Sequence, residues 1–321
     1  MGSVLVARGE QVLLSKGYGM ANLEHSIPNT SHTLFRIASI TKQFTAGAIL
    51  KLQEENLLDV NNSLATYLPD YPKGEQITIH QLLNHTAGIP SFTSFEDFKT
   101  KKRTAIELNE LIAWFKDRSL DFTPGDRFSY SNSGYVLLTK IIEIVSDLAY
   151  ADYLQQHIFA PLEMTDSGYD RQTNILPNRA AGYTFTDEEY KNADFIDMSI
   201  PSGAGALYST VEDLHKWSRS LYTDAVLSQT SRDIMFAPTI EVPNEENERI
   251  YYGYGWKIDT QQNRKRVFHE GIIDGFSTYF ALYPDDRGTI VVLSNRQASP
   301  VEKIAKSLAA ILFDEPDRLS K

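Results

Sequence analysis

Strand-like runs stand at both ends of this chain and helix-like patterns fill its middle, an order that leaves few folds open. Residues 3–7 and 11–14 are short apolar, β-branched runs around the turn Arg8-Gly9-Glu10, and they predict a hairpin at the start. Two more hairpins are predicted near the other end. One joins 254–258 to 267–269 across a polar turn at 261–264, and the other joins 277–283 to 289–293 across 284–288. From about Ser39 to Trp217 the periodicity is helical instead, clearest at 44–52, 106–115 and 135–145. Ile304, Ala305, Leu308, Ile311 and Leu312 recur three and four apart, predicting one apolar face of a closing helix. A lone hairpin is marginal in water, so the two chain ends are expected to share one antiparallel sheet. The expected fold is α+β. A sheet domain flanked by helices comes from 1–38 and 245–321, a mostly helical domain from 39–244 is inserted, and the active site lies between them. No internal repeat, low-complexity tract or linker interrupts this reading.

Composition narrows the functions. The 321 residues suit about two domains, and 42% hydrophobic with 23% charged residues is the balance of a globular protein. With 31 basic against 42 acidic side chains the net charge is -11, which argues against nucleic acid and anionic lipid as partners. There is no cysteine, which removes disulfides, Cys-ligated zinc, iron–sulfur clusters and thiol nucleophiles together. No apolar run reaches the roughly 18 residues of a membrane span, and residues 1–19 lack a leader's charged and apolar regions. The chain is therefore expected to be mature or cytosolic, and periplasmic or extracellular if a leader has been removed. Oligomeric state is not legible.

Ser39-Ile40-Thr41-Lys42 stands just before an Ala-rich helical segment, which puts a hydroxyl and an ammonium three residues apart on one face of a first turn. Serine needs a neighbour to take its proton, and a lysine in a dry pocket can have its pKa lowered enough to do so. Taken alone the pair is commonplace, since many helices start with serine and carry an exposed lysine. A second group, Tyr130-Ser131-Asn132, follows a Pro124-Gly125 turn and sets a phenol and an amide in a loop before a helix. The phenol can relay a proton and the amide can grip a carbonyl. A third, His269-Glu270-Gly271, is expected at the end of a strand, where the glycine lets a substrate backbone come close.

In this order the three motifs resemble the S-x-x-K, Y-x-N and K-T-G or H-x-G signature of the serine β-lactamase-like and penicillin-binding-protein-like hydrolases. The branch most similar holds class C β-lactamases, family VIII esterases, D-aminopeptidases and alkaline D-peptidases. Leu82-Leu83-Asn84-His85-Thr86-Ala87-Gly88, Gly203-Ala204-Gly205-Ala206 and Asp274-Gly275-Phe276-Ser277 also look like family segments, and the likeness runs nearly end to end. The resemblance implies a β-lactamase/transpeptidase-like fold and no cofactor. It implies that Ser39 is acylated, that Lys42 and Tyr130 share the proton transfers, and that Asn132 orients the acyl-side amide of a small-molecule or peptide substrate. The backbone N–H groups of Ser39 and Ile272 would hold the oxyanion, with Gly271 beside them. His269 stands where β-lactamases carry the lysine of K-T-G. An imidazole of pKa near 6.5 is mostly neutral at pH 7, which turns the expectation toward esters and amides and away from lactam carboxylates. The resemblance also implies a helix before the first strand. This chain starts inside that strand, so a helix, and a leader with it, is expected to have been lost.

The function expected is thus a serine hydrolase of the esterase or D-amino-acid peptidase type. A true β-lactamase or DD-carboxypeptidase and a catalytically silent binding module stand as alternatives. No G-x-S-x-G elbow supports an α/β-hydrolase. No metal is expected. His80 and His85, five apart, point about 140° away from each other on a helix, and His269-Glu270 lacks the H-E-x-x-H continuation. Both histidines read as structural. The aromatic run 251–256 suits either a cleft lining or sheet packing, and the acidic run 241–248 a solvated loop.

Overall fold

Gly9, at φ 58°, turns strand β1 (Gly2–Arg8) back into β2 (Gln11–Tyr18), and that hairpin enters a sheet completed from the far end of the chain. The other strands are β3 (Ile240–Glu241), β4 (Tyr251–Tyr252), β5 (Lys257–Gln261), β6 (Arg264–Ile273), β7 (Phe276–Tyr283) and β8 (Gly288–Ser294). The spatial order is β3-β4-β5-β6-β7-β8-β1-β2, antiparallel throughout, with Leu5 opposite Val291 where the two chain ends meet. The computed structural model describes residues 1–244 and 248–314, so part of the acidic run read as a loop, 245–247, lies outside the described residues.

Every residue of β7 and β8 is buried, because both faces of the sheet are covered. Their side chains alternate between two cores, as a two-residue period demands. Phe280, Leu282, Val291 and Leu293 face the large core shared with the helices, while Tyr279, Ala281, Tyr283, Ile290 and Val292 face the C-terminal helix. The helices that matter for the site are α1 (Thr41–Glu54), α2 (Asn132–Ser146) and α3 (Val211–Ser220), with α4 (Val301–Asp314) on the opposite face of the sheet. Phe44 of α1 and Trp217 of α3, both fully buried, pack in a tilted pair with ring centroids 4.8 Å apart. Burying a side chain of this size contributes about 2–3 kcal/mol. No helix among the described residues is long and apolar enough to cross a membrane.

Three expectations need correction. The buried face of α4 is Val301, Ala305, Ala309 and Leu312, while Ile304 and Ile311 are 40% and 54% exposed. Val301, Ala305 and Ala309 form an i, i+4, i+8 stripe against the sheet, which turns Ile304 and Ile311 away from it. Next, β5 starts at Lys257 rather than at Tyr254, because Gly255 sits at φ 74° with its Cα packed on the first turn of α1, where a Cβ would come within 2.7 Å of the Lys42 carbonyl oxygen. Finally, His269-Glu270-Gly271 lies inside β6, not at its end. Pairing with β7 continues through Ile273 opposite Phe276, and the chain turns only at Gly275, φ 84°.

Candidate active site

Ser39 is delivered by a short strand that is tied down on both sides. Phe35–Arg36 pairs with Leu207–Ser209, the Ile37 N–H donates to the Leu207 carbonyl at 3.0 Å, and Arg36 donates to the fully buried Asp170 at 2.8 Å. Ala38 then adopts φ 48°, a left-handed conformation that a residue with a Cβ adopts only under local constraint. The single 3-10 turn Ala38–Ile40 runs straight into α1. This leaves the Ser39 side chain partly exposed while Ala38 and Ile40 are buried.

Gly271 explains how that turn is backed. A Cβ there would lie 2.4 Å from Thr278 Oγ1, 2.7 Å from the Ile37 carbonyl oxygen and 2.9 Å from Ala38 Cβ. The glycine is therefore required for β6 to press against the serine turn, a contact the sequence reading did not foresee. Thr278 Oγ1 donates to the Ile37 carbonyl at 3.0 Å across the same contact.

Lys42 is wholly buried. Its Nζ lies 3.2 Å from Ser39 Oγ, 2.8 Å from Asn132 Oδ1 and 2.8 Å from the Ala204 carbonyl oxygen. Burial, only partly opposed by the charge of Glu270, lowers its pKa well below the usual lysine range. A neutral amine has two N–H groups, which Asn132 and Ala204 accept, and one lone pair, which then faces the Ser39 hydroxyl. Ala204 was not foreseen as a partner. It is placed by the turn Ser202–Ala204, where Gly203 packs so tightly that a Cβ would sit 2.2 Å from Thr139 Oγ1. The run of small residues was its signal.

Tyr130 lies on the other side of Lys42, whose Nζ is 4.8 Å from the ring centroid. Its hydroxyl is buried without a hydrogen-bonding partner within reach among the described residues. Burial raises the phenol pKa far above its ordinary value, and the neighbouring Ser39 hydroxyl pulls it only part of the way back. His85, read from sequence as structural, holds this tyrosine. It adopts φ 63°, stacks on the Tyr130 ring at 4.2 Å, accepts from the Ser131 N–H at 3.1 Å through Nδ1, and takes the Ser129 N–H on its carbonyl at 2.9 Å. His80 does separate work, bonding the Tyr254 hydroxyl at 2.6 Å. Asn132 begins α2 and is steadied by Ser91 and Thr93, which accept from its backbone N–H at 3.1 Å and from its Nδ2 at 3.2 Å. The aromatic run resolves into packing, with Tyr252 and Trp256 fully buried.

His269 is 1% exposed, and both ring nitrogens are engaged within the protein. Nε2 meets the Tyr252 hydroxyl at 2.9 Å and Nδ1 meets the Glu270 carbonyl oxygen at 2.6 Å. Since that carbonyl can only accept, Nδ1 carries the proton and Nε2 accepts from the phenol. Burial pushes the imidazole pKa down to about 4, and Lys257 and Lys42 add to the shift against the opposing charge of Glu270. The expected value near 6.5 is therefore too high, and moderate acid leaves the ring neutral. A heteronuclear NMR titration should show His269 in one neutral tautomer from pH 8 to pH 5.5. A midpoint above pH 6 would contradict this burial.

A cleft of about 320 Å³ opens onto Ser39 and Asn132, walled by Phe92, Phe98, Ile196 and Ile200 and by Ile272, which is 65% exposed. Lys102 and Asp274 line it as well, as an ion pair the sequence gave no sign of.

A beta-lactamase family model matches residues 2–313. Penicillin-binding protein 4* of Bacillus subtilis is 32% identical over 98% of this chain and 73% of its own length. Protein flp of Staphylococcus aureus is 31% identical over 95% of this chain, which spans 61% of that protein. Among solved structures, the octameric penicillin-binding protein homologue from Pyrococcus abyssi superposes with TM-score 0.87 at 31% identity, covering 97% of this chain and 73% of that one. The D-amino acid amidase of Ochrobactrum anthropi complexed with L-phenylalanine amide superposes at 0.86 with 25% identity, covering 98% and 93%. A match that runs from the first strand to the last helix, with Ser39 and Asn132 at one cleft and Lys42 and the Tyr130 ring packed behind them, makes this chain a member of the beta-lactamase family.

Proposed function

We propose that the chain is a serine hydrolase that forms an acyl-enzyme on Ser39 and turns over esters or amides without a carboxylate on the leaving group. The observation that carries this reading is the position of Lys42: its Nζ is 3.2 Å from Ser39 Oγ, with two other acceptors filled and its pKa lowered. As Ser39 Oγ bonds to the substrate carbonyl carbon, its proton passes to Lys42 Nζ. The oxyanion is taken by the N–H groups of Ser39 and Ile272, and Asn132 aligns the acyl group through Nδ2. Tyr130, held neutral by burial, passes a proton to the leaving oxygen or nitrogen as that bond breaks. Water then adds to the acyl carbon, and the same groups run in reverse to free the acid and Ser39.

The substrate class follows from His269. A buried neutral imidazole with both nitrogens occupied supplies no cation for the carboxylate of a cephalosporin or of a terminal D-alanine. The D-amino acid amidase relative lends weight to an amide substrate. A panel of short aryl esters, D-aminoacyl amides, D-alanyl-D-alanine peptides and a cephalosporin tests this. The best ester or D-aminoacyl amide is expected to exceed both carboxylate classes about tenfold or more in kcat/KM, the scale of one charge-assisted contact. A cephalosporin at the top of the panel would mark a β-lactamase, and labelling of Ser39 without turnover of any member would mark a binding module.

A further inference from the structure

Lys102 is 6% exposed and lines the same cleft as Ser39, yet its ammonium is only partly satisfied. It donates to Asp274 Oδ1 at 2.6 Å and stands 3.9 Å from Asp194, a carboxylate already bonded to Arg103 at 2.9 Å. An ammonium has three N–H groups, so two are left without a protein acceptor among the described residues. A buried charge with unpaired N–H groups is costly, and here those groups border the cleft that opens onto Ser39. The cleft that Lys102 and the serine share is lined in large part by apolar side chains, among them Phe92, Phe98, Ile196 and Ile200.

We propose that Lys102 is a specificity-determining residue that binds a carboxylate at the far end of the acyl group, whose apolar stem lies along those side chains. This rests on the serine-hydrolase reading and concerns the acyl end, whereas His269 bears on the leaving-group end. Asp274 shares the ammonium and repels an incoming anion, so it tempers the preference. Its removal strengthens the preference. With a net charge of -11 the protein as a whole disfavours anionic substrates, so a preference for them requires a local cation.

The test uses 4-nitrophenyl alkylphosphonates with two to five methylenes ending in methyl, carboxylate or ammonium, with modification of Ser39 followed by mass spectrometry and nitrophenolate release. In the parent protein the best carboxylate probe is expected to react about 10-fold or more faster than the methyl probe of equal length, and the ammonium probe slower. Lys102→Met should bring the carboxylate-to-methyl ratio to one or below, and Lys102→Arg should retain most of it. Asp274→Asn should raise it about three-fold or more. A purely structural ion pair would respond to both losses in the same direction, whereas a binding cation and its competitor respond in opposite ones. If the methyl probe labels Ser39 but the ratio is one or less in the parent, or unmoved by both variants, Lys102 has no such role and the hydrolase reading survives. If no probe labels Ser39, both fall together.

Discussion

Ser39→Ala is expected to lower kcat by about 10⁵-fold or more on the best ester or amide, the scale seen when a serine nucleophile is removed from an acyl-transfer site. The loss should be chemical rather than structural. The hydroxyl is partly exposed, and the turn is held by the Ile37 N–H, the Arg36–Asp170 pair and Thr278, none of which the substitution touches. Circular dichroism and melting temperature should therefore stay near the parent's while fluorophosphonate labelling disappears. A Ser39→Ala protein that kept a hundredth of the parent's activity would place the nucleophile elsewhere.

Lys42→Ala and Tyr130→Phe are each expected to cost about 10² to 10⁴ in kcat, the usual range for general acid–base groups. The double variant should be little worse than either single one, because the two act on one proton path around Ser39. Independent, multiplying losses would break that coupling. The pH profile carries the sign of both groups. Lys42 must be neutral to accept the Ser39 proton, so kcat/KM should fall on the acid side, as pH drops through the depressed lysine pKa. Tyr130 must keep its proton, and its raised pKa puts that loss beyond the ordinary alkaline range, so no falling limb is expected from the phenol. The neutral His269 adds no inflection between pH 5.5 and 8.

Much of this is legible in the sequence. Short apolar, β-branched runs around turns at both ends led to one shared sheet, and the order of Ser39, Tyr130 and His269 pointed to the family. What stayed hidden depends on which atoms meet across long stretches of chain. Sequence spacing brings Lys42 beside Ser39, but it does not say that Asn132 and Ala204 take its other hydrogens. Nor does it say that Tyr252 occupies the Nε2 of His269, a contact that changes what the imidazole can offer. His85 looked like any packed histidine because its stacking on Tyr130 depends on a left-handed turn that one residue type does not announce. Gly271 was noticed for its size but not for this contact, since the Ile37 carbonyl that forbids a side chain is far away in sequence.

That distance has a cost in time. Ile37 and Thr278, whose hydrogen bond backs the serine turn, are 241 residues apart, and β1 finds its partner in β8, near the last helix. Closing so long a loop must precede the contacts that reward it, which slows folding and raises contact order. During synthesis β1, β2 and the helical middle emerge before β6 and β7, so the serine turn waits for its backing strands to be made. A partly made chain therefore exposes the apolar edge of β1, and on the proposed mechanism it has no working nucleophile, so acyl-enzyme formation would report that the last strands have docked.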